Sequence, residues 1–565
     1  MAAALRPVTN FRLTEFRWLS LAPPITLLLF LGPVMAGLLG TLVPAFGWWP
    51  DLGGTRFGFD AWRALAAVPG LPTACLLSLG TGLGATGLAF GAAVGLSAAL
   101  EGTEWQRRMG PLLSLLLAAP HGAFAVGVLF LASPSGWLAR LFSPWATGWT
   151  DPPDLILVND PHGLALLLAL AAKECFFLLL MLQAARQQVP VGQRLRLART
   201  LGYGRFTGWF KTVLPALYPQ IRLPVLAVLA FGLSVIDMAI VLGPATPPTL
   251  SLLILGLLGD PDLGHRFTAA AAALLLVGLV LAAGALWIAG ERLAGTLGRR
   301  WVAAGHRSDA EVVGRMLAAL GVLAGTAIVL SLLLLALWSL AGAWRYPDAL
   351  PQELTINAWQ RAAPLLAAPL LHSTGLAALS ALLALALTLA CLERESRSGR
   401  AAKERTLALL YLPLLVPQIG FLFGVQVLAA RLDLVGTFLA VAWAHLLFVL
   451  PYVFLTLGDA WRALDPRFAR VALCLGRRPA TIFWRIKLPL LKGPVATSLA
   501  IGFAVSFSLY LPALLLGAGR MPTLASEVVA LAAGGDRRQL GVFAFLQAAL
   551  PLLVLAGAQG VRQTR

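Results

Sequence analysis

Long apolar runs, each sufficient to cross a bilayer, dominate this chain and decide the solvent in which it can fold. A helix needs about 20 apolar residues to span the hydrocarbon core. Twelve such stretches can be marked, at roughly 23–46, 71–100, 112–132, 163–185, 221–243 and 268–290, then 314–340, 367–392, 407–430, 436–460, 494–517 and 541–560. Lipid offers no hydrogen bonds, so each run must satisfy its own backbone as a helix. The predicted fold class is therefore all-α, a polytopic membrane protein of about 12 transmembrane helices. Composition agrees: 59% of the 565 residues are hydrophobic, 12% are charged and the mean hydropathy is +0.82. A water-soluble domain is nearer a quarter charged, and disorder needs low hydrophobicity, so both are excluded. Arg6, Arg12 and Arg17 before the first run give it the look of a signal peptide. It is longer than a signal core and no small-x-small cleavage site follows, so it is read as retained.

The net charge of +18 would suggest nucleic acid on a soluble protein. Lys and Arg, however, collect in cytoplasmic loops of membrane proteins. With both termini cytoplasmic, the cytoplasmic segments hold 32 of the 43 Lys and Arg with 11 acids, a surplus of 21. The outside segments hold 10 basic and 12 acidic residues. The charge thus predicts a topology, and no nucleic-acid partner is needed. Away from the span ends, Lys173, Glu174 and Asp237 fall inside the expected spans.

The runs repeat. Pro120-His121-Gly122-Ala123-Phe124-Ala125-Val126-Gly127-Val128 matches Pro417-Gln418-Ile419-Gly420-Phe421-Leu422-Phe423-Gly424-Val425 at an offset of 297. Further on, Leu201-Gly202, Leu214-Pro215, Leu242-Gly243 and Pro248-Thr249-Leu250 match Leu475-Gly476, Leu488-Pro489, Leu516-Gly517 and Pro522-Thr523-Leu524, all at 274. A longer outside loop at about 133–162 accounts for most of the difference. Six spans per half bring each half back to the same face, so the halves run parallel about an axis normal to the membrane. The expected domains are a cytoplasmic segment 1–20, a first six-span unit 21–300, a cytoplasmic linker 301–313 and a second six-span unit 314–565.

The largest cytoplasmic loops fall at equivalent places, between the fourth and fifth spans. One runs Arg194-Leu195-Arg196-Leu197-Ala198-Arg199-Thr200-Leu201-Gly202, then Trp209-Phe210-Lys211-Thr212-Val213-Leu214-Pro215; the other runs Phe468-Ala469-Arg470-Val471-Ala472-Leu473-Cys474-Leu475-Gly476, then Phe483-Trp484-Arg485-Ile486-Lys487-Leu488-Pro489. Phe468, Val471, Ala472 and Leu475 recur at i, i+3, i+4 and i+7, an apolar stripe on a short helix, and Leu197, Ala198 and Leu201 do the same. Gly202 and Gly476 suit the left-handed position that ends such a helix. A helix–turn–helix with an apolar stripe and basic flanks suits a helix-in-groove contact with a cytoplasmic partner. Taken singly, each loop also reads as an interfacial amphipathic helix obeying positive-inside topology; the in-register repeat favours the partner contact.

These loops resemble the coupling loops of inner-membrane permeases of ATP-binding-cassette importers, the MetI-like family. That family's signature is E-A-A-x-x-x-G followed about a dozen residues on by L-P. Here Ala198, Gly202, Leu214 and Pro215, and Ala472, Gly476, Leu488 and Pro489, keep it, whereas Arg196 and Arg470 stand in place of the glutamate. The run Ser133–Arg140 with Ser234-Val235-Ile236-Asp237-Met238 looks most like fused permeases of the YnjC type, more distantly related to thiamine and ferric-iron permeases. The resemblance implies the translocation subunit of an importer in a bacterial inner membrane. It further implies a single fused chain replacing a permease dimer, a solute-binding protein outside and two ATPase subunits docked on Arg196, Ala198, Gly202, Leu214 and Pro215 and on Arg470, Ala472, Gly476, Leu488 and Pro489. It places Ser234, Asp237, Ser508 and Tyr510 along the path. A thiamine-like compound, a metal chelate or an oxyanion are all conceivable cargoes.

Chemistry on the chain itself is not expected. Its five lysines, Lys173, Lys211, Lys403, Lys487 and Lys492, never follow a glycine, so no phosphate-binding G-x-x-x-x-G-K-[ST] loop exists. ATP and Mg would belong to the partner ATPase, and no cofactor is expected here. Cys75, Cys175, Cys391 and Cys474 are far apart without a CxxC pair, and the histidines form no ligand set, so no metal is expected. Asp237 has Leu511 at its repeat position, which breaks the symmetry there; it is either a polar contact on the path or part of a buried pair with Lys173. Lys173 and Glu174 point about 100° apart on a helix and must meet different neighbours. A secondary transporter driven by an ion gradient is the alternative, and it predicts several more ionisable residues in the spans.

Overall fold

The computed structural model describes residues 17–399, 409–410 and 412–563. Most of the expected segment 1–20, Lys403 and the start of the expected ninth span lie outside these residues. Among the described residues the chain is almost wholly helical, with one two-residue hairpin pairing Trp48–Trp49 with Gly54–Thr55. Ten helices are long and apolar enough to cross a membrane, among them Ala22–Ala45, Leu71–Leu100, Leu214–Ser234, His265–Ala303, Glu311–Leu340 and Phe438–Arg462. The expected ninth and eleventh spans are the shorter helices Gln418–Arg431 and Lys492–Ser508, the latter meeting Pro479–Leu490 at a bend of 77°.

Four spans expected to be continuous are broken, and the breaks match between halves. The third runs Glu104–Ala118, pauses at Ala119-Pro120 and resumes as His121–Ala132. The ninth pauses likewise at Val416-Pro417, between Leu412–Leu415 and Gln418–Arg431. Proline lacks an N–H and pushes the residue before it out of the helical region. The fifth span starts at Leu214, earlier than the expected 221, because Pro215 is tolerated in a first turn. It ends at Ser234, where an extended Val235 precedes a six-residue helix, Asp237–Leu242. Asp237 is therefore not inside the fifth span, as the apolar run suggests, but at the start of the element after it. The eleventh span stops in the same way at Ser508, before Leu511–Gly517. Non-helical backbone at this depth is tolerated only inside protein or beside a polar cavity.

The two halves interlock. The first span, Ala22–Ala45, packs on the ninth, Gln418–Arg431, of the other half, and Glu311–Leu340 packs on His121–Ala132 and Leu71–Leu100. Small residues set these crossings, as lipid-embedded packing requires. A Cβ on Gly424 would strike the carbonyl of Gly37, and one on Gly40 would lie 3.0 Å from the Gly424 Cα. At the repeat position a Cβ on Gly127 would meet Ser331 Cβ at 2.6 Å. Equivalent polar fasteners recur elsewhere. Ser78 Oγ and Ser373 Oγ accept from Leu250 N–H and Leu524 N–H at 2.9 and 2.8 Å. Arg186 and Arg462 pair with Glu101 and Glu395 at 2.7 and 2.9 Å.

Gly424→Val should force the first and ninth spans apart and cost about 1–3 kcal/mol, the usual scale of overpacking. Thermal unfolding in detergent should show a lowered midpoint, whereas Gly278→Val, where a Cβ meets nothing within 4 Å, should leave it unchanged.

Candidate functional site

Both loops fold as the repeat predicts. The first is a helix Val191–Thr200, a turn and a helix Arg205–Thr212; the second starts with Pro466–Cys474 and continues through Pro479–Ile482 to Leu488–Leu490. Gly202 and Gly476 have φ of +79° and +73°, the left-handed region that an L side chain resists. Beyond each glycine the chain reaches back: Tyr203 N–H donates to Ala198 O at 3.1 Å and Arg477 N–H to Ala472 O at 3.0 Å. This bond satisfies a carbonyl that the helix end would otherwise orphan.

The apolar stripe divides in two. Ala198 and Ala472 are buried, while Leu197, Leu201, Phe468, Val471 and Leu475 point outward, each more than half exposed. Ala198 faces Gly208 of the next helix, where only a methyl fits. Arg196, Arg199, Arg470, Arg477 and Arg478 are exposed beside these side chains. Leu214 and Leu488 are half-buried and Pro215 and Pro489 exposed in the first turns of the helices that follow. Exposed apolar patches rimmed by charge mark interaction surfaces.

Sequence reasoning missed what holds the loops. Lys211 and Lys487 look like part of the basic flank, yet both are buried. Lys211 Nζ donates to Trp301 O and His306 O at 3.0 and 2.7 Å, tying the first loop to the segment joining the two halves. Glu311 Oε1 accepts from the N–H groups of Phe206 and Thr207 at 2.9 and 3.1 Å, and Gly204 N–H donates to Arg307 O at 2.8 Å. Lys487 instead pairs with Glu393 at 2.7 Å, within its own half. A carboxylate at the end of an apolar run, as Glu393 is, was the available signal.

The candidate path residues come to the matching breaks. Ser234 and Ser508 each end a span and donate to carbonyls of their own helix, Ala230 O and Val505 O, both at 2.8 Å. Asp237 and Tyr510 sit just beyond, near enough to interact electrostatically. Asp237 Oδ1 accepts from Met238 N–H at 2.9 Å. Lys173 is not its partner: that ammonium donates to Leu116 O and Ala119 O at 2.9 and 2.5 Å, capping the helix broken at Pro120. Glu174, on the adjacent helix face, meets His121 Nε2 at 3.1 Å. Gln547, from the last span, is fully buried nearby and was also missed, though an amide within an apolar run is a visible signal. Among the described residues no group of three His, Cys, Asp or Glu could hold a metal ion.

Lys487→Met should strip buried Glu393 of one of its two cations, Arg397 staying in place, and destabilise the second loop by about 1–3 kcal/mol. Hydrogen exchange at residues 479–490 should rise, and adding Glu393→Gln should recover most of the protection.

Comparison with known proteins fits this architecture. The family described as "Binding-protein-dependent transport system inner membrane component" matches residues 382–558. The chain is 36% identical over 504 residues to the inner membrane ABC transporter permease protein YnjC of Escherichia coli, covering 88% of this chain and 89% of that protein. Over 112 residues it is 35% identical to the molybdenum transport system permease protein ModB of Mycobacterium bovis and of Mycobacterium tuberculosis, covering 17% of this chain and 42% of ModB. Two parallel, interlocked sets of spans, two matched surface loops and a likeness over nearly the whole length lead to one conclusion: the chain belongs to the family of binding-protein-dependent transport inner membrane components, as a membrane-spanning permease subunit of an ATP-binding-cassette importer.

Proposed function

We propose that the two loops seat two separate ATPase subunits, and that a soluble binding protein delivers a small solute to the opposite face. The observation that carries this reading is the pair of helix–glycine–helix loops, each with exposed apolar side chains beside arginines. Their basic balance favours a cytoplasmic position for them and for both termini, and the likeness to inner-membrane permeases supports a bacterial inner membrane. One fused chain then does the work of a permease dimer, and ATP with Mg is held by the partners. Closure of the ATPases would move the loops as levers and rock one half against the other, opening the path lined by Ser234, Asp237, Ser508 and Tyr510 to alternate sides. Arg196 and Arg470, in place of the family's glutamate, favour an acidic rim on the docking groove. An ion-gradient mechanism is less favoured, since Lys173 is engaged by the helix break at Pro120 and Glu174 by His121, which leaves Asp237 as the acidic group at the matching breaks.

Cys474 tests the orientation and the docking together, being exposed on the second loop while the other three cysteines are at least half-buried. A membrane-impermeant maleimide should label it in inverted vesicles and not in spheroplasts, and bound ATPase should protect it. Labelling in spheroplasts would reverse the topology. Gly202→Glu and Gly476→Glu each impose a left-handed backbone costing about 1–2 kcal/mol. ATPase should co-purify with the native chain, and its activity should uncouple from transport in the double variant. Unchanged transport would remove the coupling role.

A further inference from the structure

The polar groups buried between the two halves form a more specific arrangement than a hydrophilic path requires. Asp237 Oδ2 and the amide end of Gln547 converge on Gly122, at 3.8 and 3.9 Å from where its Cβ would stand. Gln547 is 1% exposed, and its Oε1 has no hydrogen-bond partner. A buried acceptor left unpaired costs about 1–3 kcal/mol, which a bound donor would recover. His121 opens the same helix as Gly122, is close enough to Asp237 to interact with it, and carries the hydrogen bond to Glu174. Aromatic faces complete the surround: Tyr510 lies near Asp237, Tyr452 near Glu174, and the ring of Phe231 is 4.8 Å from that of His121.

The ionisable groups here are mostly acidic. Asp237 and Glu174 both interact with His121, and Lys173, beside Glu174, has its donors directed at the backbone carbonyls of Leu116, Leu117 and Ala119. Two acidic side chains, Asp237 and Glu174, thus stand here against one imidazole, His121. An oxyanion would meet repulsion and an acceptor with nothing to accept. A metal ion lacks a ligand set, as the described residues hold no suitable group. A small organic cation matches each feature: its charge meets Asp237 and the face of an aromatic ring such as Tyr510, an N–H or O–H meets Gln547 Oε1, and its apolar body packs on Phe231 and Tyr452.

We infer that Asp237, Gln547, Glu174 and Tyr510 form a recognition site for a small organic cation within the path, and that this importer carries a cation of that class and not an oxyanion. The inference rests on the permease reading, because the site is useful only if the path conducts.

Carbodiimide labelling of buried carboxylates, read by peptide mass spectrometry on the full chain in nanodiscs, tests it without needing ATP. Choline and tetraethylammonium are the cationic probes and molybdate the anionic one. Either cation should protect Asp237 saturably, and molybdate should not. Asp237→Asn should weaken the same protection at Glu174 by about tenfold or more, an effect of about 1.4 kcal/mol. Gln547→Leu should weaken it for choline, which has a hydroxyl to donate, and leave tetraethylammonium unchanged. Elution volume and ATPase co-purification of the variants show that they are folded. Protection by molybdate, or by neither cation, overturns the site. Loss of ATPase co-purification from the native chain would instead overturn the function proposed above while leaving the labelling result intact.

Discussion

The close approach of glycine backbones between halves is the contact on which the rest of this architecture depends. Lipid gives apolar side chains no reason to prefer one another over acyl chains, so helices associate here through close packing. Gly37 and Gly40 against Gly424, and Gly127 against Ser331, let helix backbones touch where any larger side chain would separate them. Each crossing joins the first span of one half to the third span of the other. Neither half can drift from its partner without both crossings opening. The third spans are thereby fixed at the interface, with their breaks at Pro120 and Pro417 opposite the breaks after Ser234 and Ser508.

Those breaks bring backbone ends into the interior of the spans, beside polar side chains such as Lys173, Glu174 and Gln547 that continuous helices carry there. Lys173 makes the first tolerable by donating to carbonyls that Pro120 leaves without partners. The second half has no such lysine at the corresponding place, and the asymmetry carries over to the path. Asp237 and Tyr510 occupy matching turns yet differ in charge. The matching breaks therefore present an acidic side chain in one half and an aromatic one in the other.

Much of this was legible in the chain. Apolar run length gave the spans, since a bilayer imposes one length on every crossing helix. The two glycines at 202 and 476 were readable as left-handed helix ends because few other residues occupy that conformation. The breaks at residues 235 and 509 were not legible, because Val235 and Leu509 are as apolar as the helices they interrupt, and only tertiary packing decides where an apolar run stops being helical. The division of the loop stripe was hidden for a related reason: periodicity shows that Ala472 and Val471 share a face broadly, not that one turns in and the other out. The roles of Lys211 and Glu311 depend on contacts between distant segments, to which a count of loop charges is blind.

The short join between the halves has a consequence of its own. The sixth span ends at Ala303 and the seventh begins at Glu311, after seven intervening residues, already seated against the first half. The join is structural material as well as a connection: carbonyls of Trp301 and His306 hold Lys211, and the carboxylate of Glu311 secures the neighbouring helix. Two loops that match in sequence are therefore held differently, one by the seam between the halves and the other by Glu393 of its own half. A push delivered equally to both would be passed on along unequal routes.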